Sequence, residues 1–194
     1  MVRCLITDGT ASGSERAWLD HAAAWLAAGI ELFQIREPSL TVRQLCELTR
    51  KVMQLPNPHG TRILVNDRAD VAIACGAHGV HLKDGSVLPE FFARPTFLVS
   101  IACHSIADAA KTRGANFIVL APIFKPLSKD KSRPALGVEA ITELARATSI
   151  PILALGGITS ANARLCLEAG AAGIAGISCF SELPAGSAPS SVLL

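Results

Sequence analysis

The chain has 194 residues, of which 50% are hydrophobic and 18% charged, and its formal net charge is +2. This composition predicts one compact domain spanning residues 1–194 with a large apolar core. The small net charge excludes the strongly basic surface that nucleic-acid binding needs, and no apolar run is long enough to cross a membrane. The N-terminal residues lack the basic and apolar regions of a secretory signal, so we expect a cytoplasmic protein.

Short apolar runs alternate with helical patterns along almost the whole chain. Strands are predicted at residues 4–7, 32–35, 62–65, 79–82, 97–102, 117–120, 152–155 and 174–177. Helices are predicted at residues 15–28, 41–54, 68–75, 89–93, 105–112, 137–147 and 162–169. This repeat favours an α/β fold, a single compact (β/α)8 TIM barrel, although its typical length is about 250 residues. A doubly wound open sheet is the alternative.

Six cysteines are present, and none forms a CxxC pair. They are Cys4, Cys46, Cys75, Cys103, Cys166 and Cys179. Because several lie inside apolar runs and no spacing matches a metal site, we interpret them as reduced, buried thiols.

Glycines follow or interrupt the last two predicted strands. Gly156 and Gly157 come directly after residues 152–155, and Gly176 lies within residues 174–177. Glycine lets backbone N–H groups approach an anion closely, and a helix start adds partial positive charge. Since phosphate-binding barrels hold their phosphate at these two strands, the sequence predicts a small phosphorylated ligand.

Two polar residues end the second predicted strand on one face. Gln34 and Arg36 have the same strand parity, so their side chains point to the same side. A guanidinium matches the oxygens of phosphate or carboxylate, which makes Arg36 a candidate anion clamp. The alternative is an ion pair with the neighbouring Glu37.

The third and fourth strands are followed by further polar residues. Asn66 and Asp67 follow the third strand, where the Asp67 carboxylate would hold Mg²⁺ or, alternatively, cap the next helix. Lys83 and Asp84 follow the fourth strand, and they either face the mouth of the barrel or form a solvated turn.

His104 and Lys129 are the remaining candidate site residues. His104 comes just after the fifth strand, where a histidine can move protons near neutral pH. The alternatives are a histidine that caps the next helix or one that is hydrogen-bonded in the rim of the barrel. Lys129 lies in the one long irregular connection, residues 122–136. Long connections in compact domains usually have a task, so Lys129 is either a phosphate contact or solvated surface.

Taken together, these residues resemble the thiamine-phosphate synthase / TenI family over residues 3–180. The segments that carry the resemblance are Gln34-Ile-Arg-Glu37, Val65-Asn-Asp-Arg-Ala-Asp-Val-Ala72, Gly79-Val-His-Leu82, Cys103-His-Ser105, Ala121-Pro-Ile-Phe124, Leu155-Gly-Gly-Ile158 and Ala171-Ala-Gly-Ile-Ala-Gly-Ile-Ser178. The resemblance implies a (β/α)8 barrel with one of two activities. Synthases join a pyrimidine pyrophosphate to a thiazole phosphate with the help of Mg²⁺, whereas TenI-like members aromatise a thiazole carboxylate phosphate by proton transfer.

The chain departs from the synthase pattern at four places. Synthases carry a lysine after Arg-Glu, a second Mg²⁺-binding Asp after the fourth strand, a serine two residues before the histidine and a threonine after the sixth strand. This chain has Pro38, Ser86, Ala102 and Pro126 there. The chain therefore lacks one lysine, one carboxylate and two hydroxyls, which are groups that would stabilise the charge of pyrophosphate as it leaves. Asn66-Asp67, by contrast, is similar to synthases and leaves a Mg²⁺ role for Asp67 open.

The first hypothesis is therefore a TenI-like thiazole tautomerase, an isomerase of thiamine biosynthesis that requires no cofactor. The resemblance implies His104 as general acid and base, with Arg36 on the thiazole carboxylate or phosphate. It implies substrate contacts at Gln34, Arg36, Asn66, Lys129, Gly156, Gly157, Ile177 and Ser178, the phosphate lying on the N–H groups of Gly157 and Ser178.

Two other hypotheses stay open. One is thiamine-phosphate synthase, a transferase that would use Mg²⁺ at Asp67. The other is a non-catalytic regulator that binds thiazole or thiamine phosphate. In each case the partner is a small phosphorylated thiazole compound, with neither nucleic acid nor membrane involved, and the resemblance makes a homodimer plausible.

Overall fold

In the computed structural model, which describes residues 1–11, 13–125 and 134–177, eight parallel strands form a closed barrel in sequence order. The strands are β1 Val2–Ile6, β2 Leu32–Ile35, β3 Arg62–Asn66, β4 Gly79–Leu82, β5 Leu98–Cys103, β6 Phe117–Leu120, β7 Ile152–Ala154 and β8 Gly173–Gly176. The ring closes because β8 pairs with β1, with Val2 opposite Gly173. The predicted (β/α)8 barrel is confirmed, and closure excludes the open sheet.

Helices cover the outside of the barrel. In the described part of the chain the α-helices are α1 Glu15–Ala27, α2 Val42–Met53, α3 Ala69–Ala74, α4 Glu139–Ala147 and α5 Ala163–Glu168. Helix α2 begins at Thr41, whose side chain forms a capping box with Gln44. The helices predicted after β4 and β5 are confirmed, and both are short 3₁₀ helices, Pro89–Phe91 and Ile106–Lys111. Such short segments form few backbone hydrogen bonds from residue i to residue i−4, so the tighter 3₁₀ pattern is found.

The barrel interior changes from apolar to polar along the strands. Its apolar cluster contains Cys4, Ile6, Leu32, Leu64, Val119, Leu153 and Ala175. Nearer the carboxyl ends, Gln34, His81 and Ser100 are buried although they are polar. Strand alternation places these side chains on the same inward face as the apolar cluster. The polar end is therefore the mouth where barrel enzymes carry their active sites.

The described cysteines are unoxidised, and most are buried as the sequence predicts. Cys4, Cys75, Cys103 and Cys166 are buried, whereas Cys46 is partly exposed. Cys179 lies outside the described residues. Among the helices that the structure describes, none combines the length and apolar character needed to cross a bilayer.

Candidate active site

His81 on β4 lies at the centre of the mouth. Its Nδ1 is 2.8 Å from the Ser100 hydroxyl on β5, and its side chain is almost wholly buried. Burial lowers the pKa of His81 to about 4, and the charges of Asp67, His104 and Arg36 act on it as well. Those three groups therefore surround the same mouth. His81 is neutral near pH 7 and is not a suitable proton shuttle.

His104, directly after β5, has the geometry of a general base. Its Nδ1 lies 2.7 Å from the carbonyl oxygen of Ala121. Because a carbonyl oxygen can only accept, Nδ1 carries the proton and Nε2 of the neutral ring holds the lone pair. The backbone N–H of His104 donates to Asp108 at 2.8 Å, which fixes the start of the following turn. The imidazole does not cap the helix, since Asp108 and Ser105 form the cap. The other alternative, a hydrogen bond within the rim, is present as the contact between Nδ1 and the Ala121 carbonyl.

Arg36 is held at the end of β2 by Thr7 at the end of β1. The Arg36 N–H donates to the Thr7 hydroxyl at 2.8 Å, and that hydroxyl donates to the Arg36 carbonyl at 3.1 Å. Gln34, two residues earlier, is buried, whereas Arg36 is exposed. The backbone is thus fixed while the guanidinium remains available to an anion.

The alternative ion pair between Arg36 and Glu37 is wrong. The buried Glu37 carboxylate accepts hydrogen bonds from the Trp18 indole N–H at 3.0 Å and from the Ala11 N–H at 2.9 Å. It thereby ties α1 and the β1–α1 loop to β2. The sequence-based prediction missed this contact, and its one signal was strand parity, which places Glu37 on the opposite face from Gln34 and Arg36.

Asp67 follows β3 and turns toward the loop after β4. Its backbone lies in the left-handed region with φ 53°, and its N–H donates to the His81 carbonyl at 2.7 Å. The carboxylate pairs with the Lys83 ammonium at 2.6 Å and accepts a hydrogen bond from Ser86. Burial would raise the pKa of Asp67, but the contacts from Lys83 and Ser86 outweigh it and hold that pKa below its usual value.

The helix-cap alternative for Asp67 is consequently wrong. Arg68 occupies the N-cap position of α3, and no side chain caps that helix. Lys83 turns to Asp67 at the mouth, which is one of the two positions that the sequence predicts for it. The Asp67, Lys83 and Ser86 side chains also line a cleft of about 350 Å³ that continues to Val87 and Phe92.

A resident Mg²⁺ does not fit this donor set. Within residues 1–11, 13–125 and 134–177, no group of three His, Cys, Asp or Glu side chains could hold a metal ion. The Asp67 carboxylate already has the Lys83 ammonium beside it. Mg²⁺ prefers octahedral oxygen ligands and usually takes one or two carboxylates together with substrate phosphates.

The glycines after β7 allow a close approach of the backbone. At Gly156 (φ 100°) a Cβ would lie 2.7 Å from Pro122 Cβ, and at Gly157 (φ 62°) it would lie 2.4 Å from the Lys125 carbonyl oxygen. The segment after β6 therefore packs directly on both glycines. Among the described residues, no oxygen accepts the Gly157 N–H, which leaves this donor open to a ligand.

The remaining predicted contacts lie around this rim or outside the described residues. Asn66 ends β3 opposite His81 and is partly buried, and Ile177 follows β8 and is 43% exposed. Lys129 and Ser178 lie outside the described residues. The structure thus brings Gln34, Arg36, Asn66, Asp67 and His104 to one mouth.

Comparison with known proteins identifies relatives over almost the whole chain. A family model described as thiamine monophosphate synthase matches residues 3–180. A thiamine-phosphate synthase from Methanoculleus marisnigri is 39% identical over 180 residues, which cover 90% of this chain and 84% of that protein. One from Albidiferax ferrireducens is 36% identical over 180 residues, with 90% and 81% covered. The structure of thiamine phosphate pyrophosphorylase from Pyrococcus furiosus matches with a TM-score of 0.77 and 27% identity, covering 91% of this chain and 85% of that one.

Proposed function

The chain belongs to the thiamine monophosphate synthase family and is an enzyme of thiamine biosynthesis, and on that premise we propose that it is a thiazole tautomerase. The observation that carries the proposal is the hydrogen bond from His104 Nδ1 to the Ala121 carbonyl, which leaves Nε2 as a base at the mouth. The substrate would be a thiazole carboxylate phosphate in a non-aromatic tautomer.

The reaction needs one group that first removes and then returns a proton. His104 Nε2 takes a proton from a ring carbon of the substrate, and the Ala121 carbonyl stabilises the resulting imidazolium through Nδ1–H. The imidazolium then protonates a second substrate carbon, which completes an isomerisation without a co-reactant. Aromatisation supplies the driving force.

The substrate's charges would be held on either side of this base. Arg36, with its backbone fixed by Thr7, binds the carboxylate or the phosphate as a charge-assisted pair. The open N–H of Gly157 contributes to phosphate binding, together with Ile177 and with Ser178 and Lys129, two contacts that the family resemblance implies.

The second candidate is thiamine-phosphate synthase, which the names of the relatives favour. It would require Mg²⁺, introduced with the pyrophosphate of the substrate and held by Asp67. The ion pair between Asp67 and Lys83 is the specific observation against it, because the ammonium competes for the same carboxylate.

Two turnover assays on the purified protein distinguish these functions. One offers the thiazole carboxylate phosphate tautomer with a chelator, and the other offers pyrimidine pyrophosphate, thiazole phosphate and Mg²⁺. The tautomerase predicts aromatisation in the first assay and no pyrophosphate release in the second. Pyrophosphate release would establish the synthase, and binding of thiazole phosphate without turnover in either assay would establish a regulator.

A further inference from the structure

Helices α2 and α3 bring two cysteines together on the outside of the barrel, away from the mouth. Cys46 lies in α2, and Cys75 is the residue that ends α3. The Cys75 thiol donates to the Cys46 carbonyl oxygen with Sγ 3.5 Å from it, and the two thiols interact electrostatically. Two neighbouring thiols are the geometric starting point for a disulfide, whose sulfurs are about 2.05 Å apart.

The exposure of the two thiols sets the order in which they react with a small oxidant. Cys46 is partly exposed, so a solvent-borne molecule reaches its sulfur, whereas Cys75 is buried. Burial and the neighbouring Cys46 side chain raise the pKa of the Cys75 thiol. Cys46 is therefore the thiol that reacts first, and Cys75 is the second.

We propose that Cys46 and Cys75 form a reversible disulfide that joins α2 to α3 when the protein meets a small disulfide such as oxidised glutathione. The Cys46 thiolate attacks one sulfur of the oxidant and releases one glutathione thiol. Cys75 then attacks the mixed disulfide and releases the second. The protein loses two protons and two electrons, and the oxidant gains them to become two thiols.

Formation of the disulfide between Cys46 and Cys75 should stabilise the folded protein. The bond encloses residues 46–75, so it restricts the unfolded chain much more than the native one. For a loop of this size in a chain of this length, we expect the midpoint of thermal unfolding to rise by about 5–15 °C. A strained disulfide would raise the midpoint by less. The temperature shift is therefore a second measurement of bond formation, beside the loss of free thiols.

The test treats the whole protein with oxidised glutathione and follows intact mass, free thiols and thermal unfolding. We expect loss of two hydrogen atoms, a peptide linking residues 46 and 75, a higher unfolding midpoint, and full reversal by dithiothreitol. Cys46→Ser and Cys75→Ser should each abolish all of these changes. Cys166→Ser, which alters a buried cysteine in α5, should retain them.

Three results would overturn the proposal. They are a stable glutathione adduct on Cys46 that never closes, a bridge mapped to another pair such as one with Cys179, and unchanged thiols after treatment. Cys46→Ser keeps the test decisive if Cys75→Ser fails to fold, because position 46 is partly exposed and tolerates a hydroxyl more readily.

Discussion

Two sides of the barrel mouth use their polar groups differently. On one side, the His104 imidazole hydrogen-bonds through Nδ1 to the Ala121 carbonyl, which fixes its tautomer and leaves Nε2 for substrate. On the other, the Asp67 carboxylate is occupied by Lys83 and Ser86. The first arrangement is suited to exchange a proton, whereas the second neutralises its own charge. A carboxylate at a strand end is therefore not by itself a metal site.

Removing the base on the His104 side should have the largest effect. His104→Asn keeps a donor for the Ala121 carbonyl but has no basic nitrogen, so we expect aromatisation to fall by about 10²- to 10⁴-fold. Steady-state turnover with the thiazole substrate measures this. His59→Ala is the control, because His59 packs near Gly29, before β2, at the opposite end of the barrel. Equal losses in both variants would remove His104 from the chemistry.

Removing the anion clamp should have the next largest effect. Arg36→Ala deletes charge-assisted hydrogen bonds worth about 1.5–3 kcal/mol, so we expect kcat/KM to fall by roughly 10- to 100-fold. Arg36→Lys should recover only part of this loss, since it retains charge without the planar fork. Exposed Arg43 on α2 provides the control, Arg43→Ala. Unchanged kcat/KM in Arg36→Ala would show that substrate charge is held elsewhere.

His81, between the two sides, should make folding sensitive to acid. Its pKa is about 4 in the folded protein against an ordinary 6.5, so the unfolded chain binds the extra proton between those values. The stability contributed by neutral His81 is therefore complete above pH 6.5 and is lost as pH falls toward 4. We expect a loss of about 2 kcal/mol between pH 7 and pH 5.

Chemical denaturation of the wild type and of His81→Gln at both pH values measures this contribution. The variant should lose about 2 kcal/mol less than the wild type over the same interval, because glutamine does not titrate. Asp108 has its pKa lowered to about 2, so its contribution is lost only at lower pH. Parallel pH profiles for the two proteins would show that His81 takes up no proton on unfolding.

A second carboxylate on the Asp67 side should have the smallest effect. Ser86 contacts Asp67 directly, so Ser86→Asp would place two carboxylates together and create a Mg²⁺ site. At Mg²⁺ tenfold above the dissociation constant, the midpoint of thermal unfolding should rise by about 3–5 °C. The wild type and Ser160→Asp, in an exposed turn, should not respond. An equal shift in the wild type would mean that Lys83 does not exclude the ion.

The sequence predicted the barrel well because each strand is a short buried run. Predicted strand bounds agree with the observed ones to within two residues, as β5 at Leu98–Cys103 illustrates. The helices after β4 and β5 were also predicted, but their 3₁₀ type was not, since helical periodicity does not distinguish so short a 3₁₀ turn from an α-helix.

Site contacts were harder to predict where they join different strands. Strand parity correctly predicted that Gln34 and Arg36 share a face. The pairing of Asp67 with Lys83 depends on a positive φ at Asp67, which no local pattern indicates. Likewise, the sequence explained Gly157 only as part of an anion site. A glycine is also required at this position because the Lys125 carbonyl oxygen approaches its backbone closely. Such contacts are set by tertiary packing rather than by neighbouring residues.

The most direct test of the difference between the two sides is the rate of thiazole aromatisation by the wild-type protein in excess EDTA and in excess Mg²⁺. Because the proposed proton transfer uses His104 and no metal, we expect equal rates in both conditions. A reaction that stops in EDTA and returns with Mg²⁺ would contradict it and would make Asp67 the functional side of the mouth.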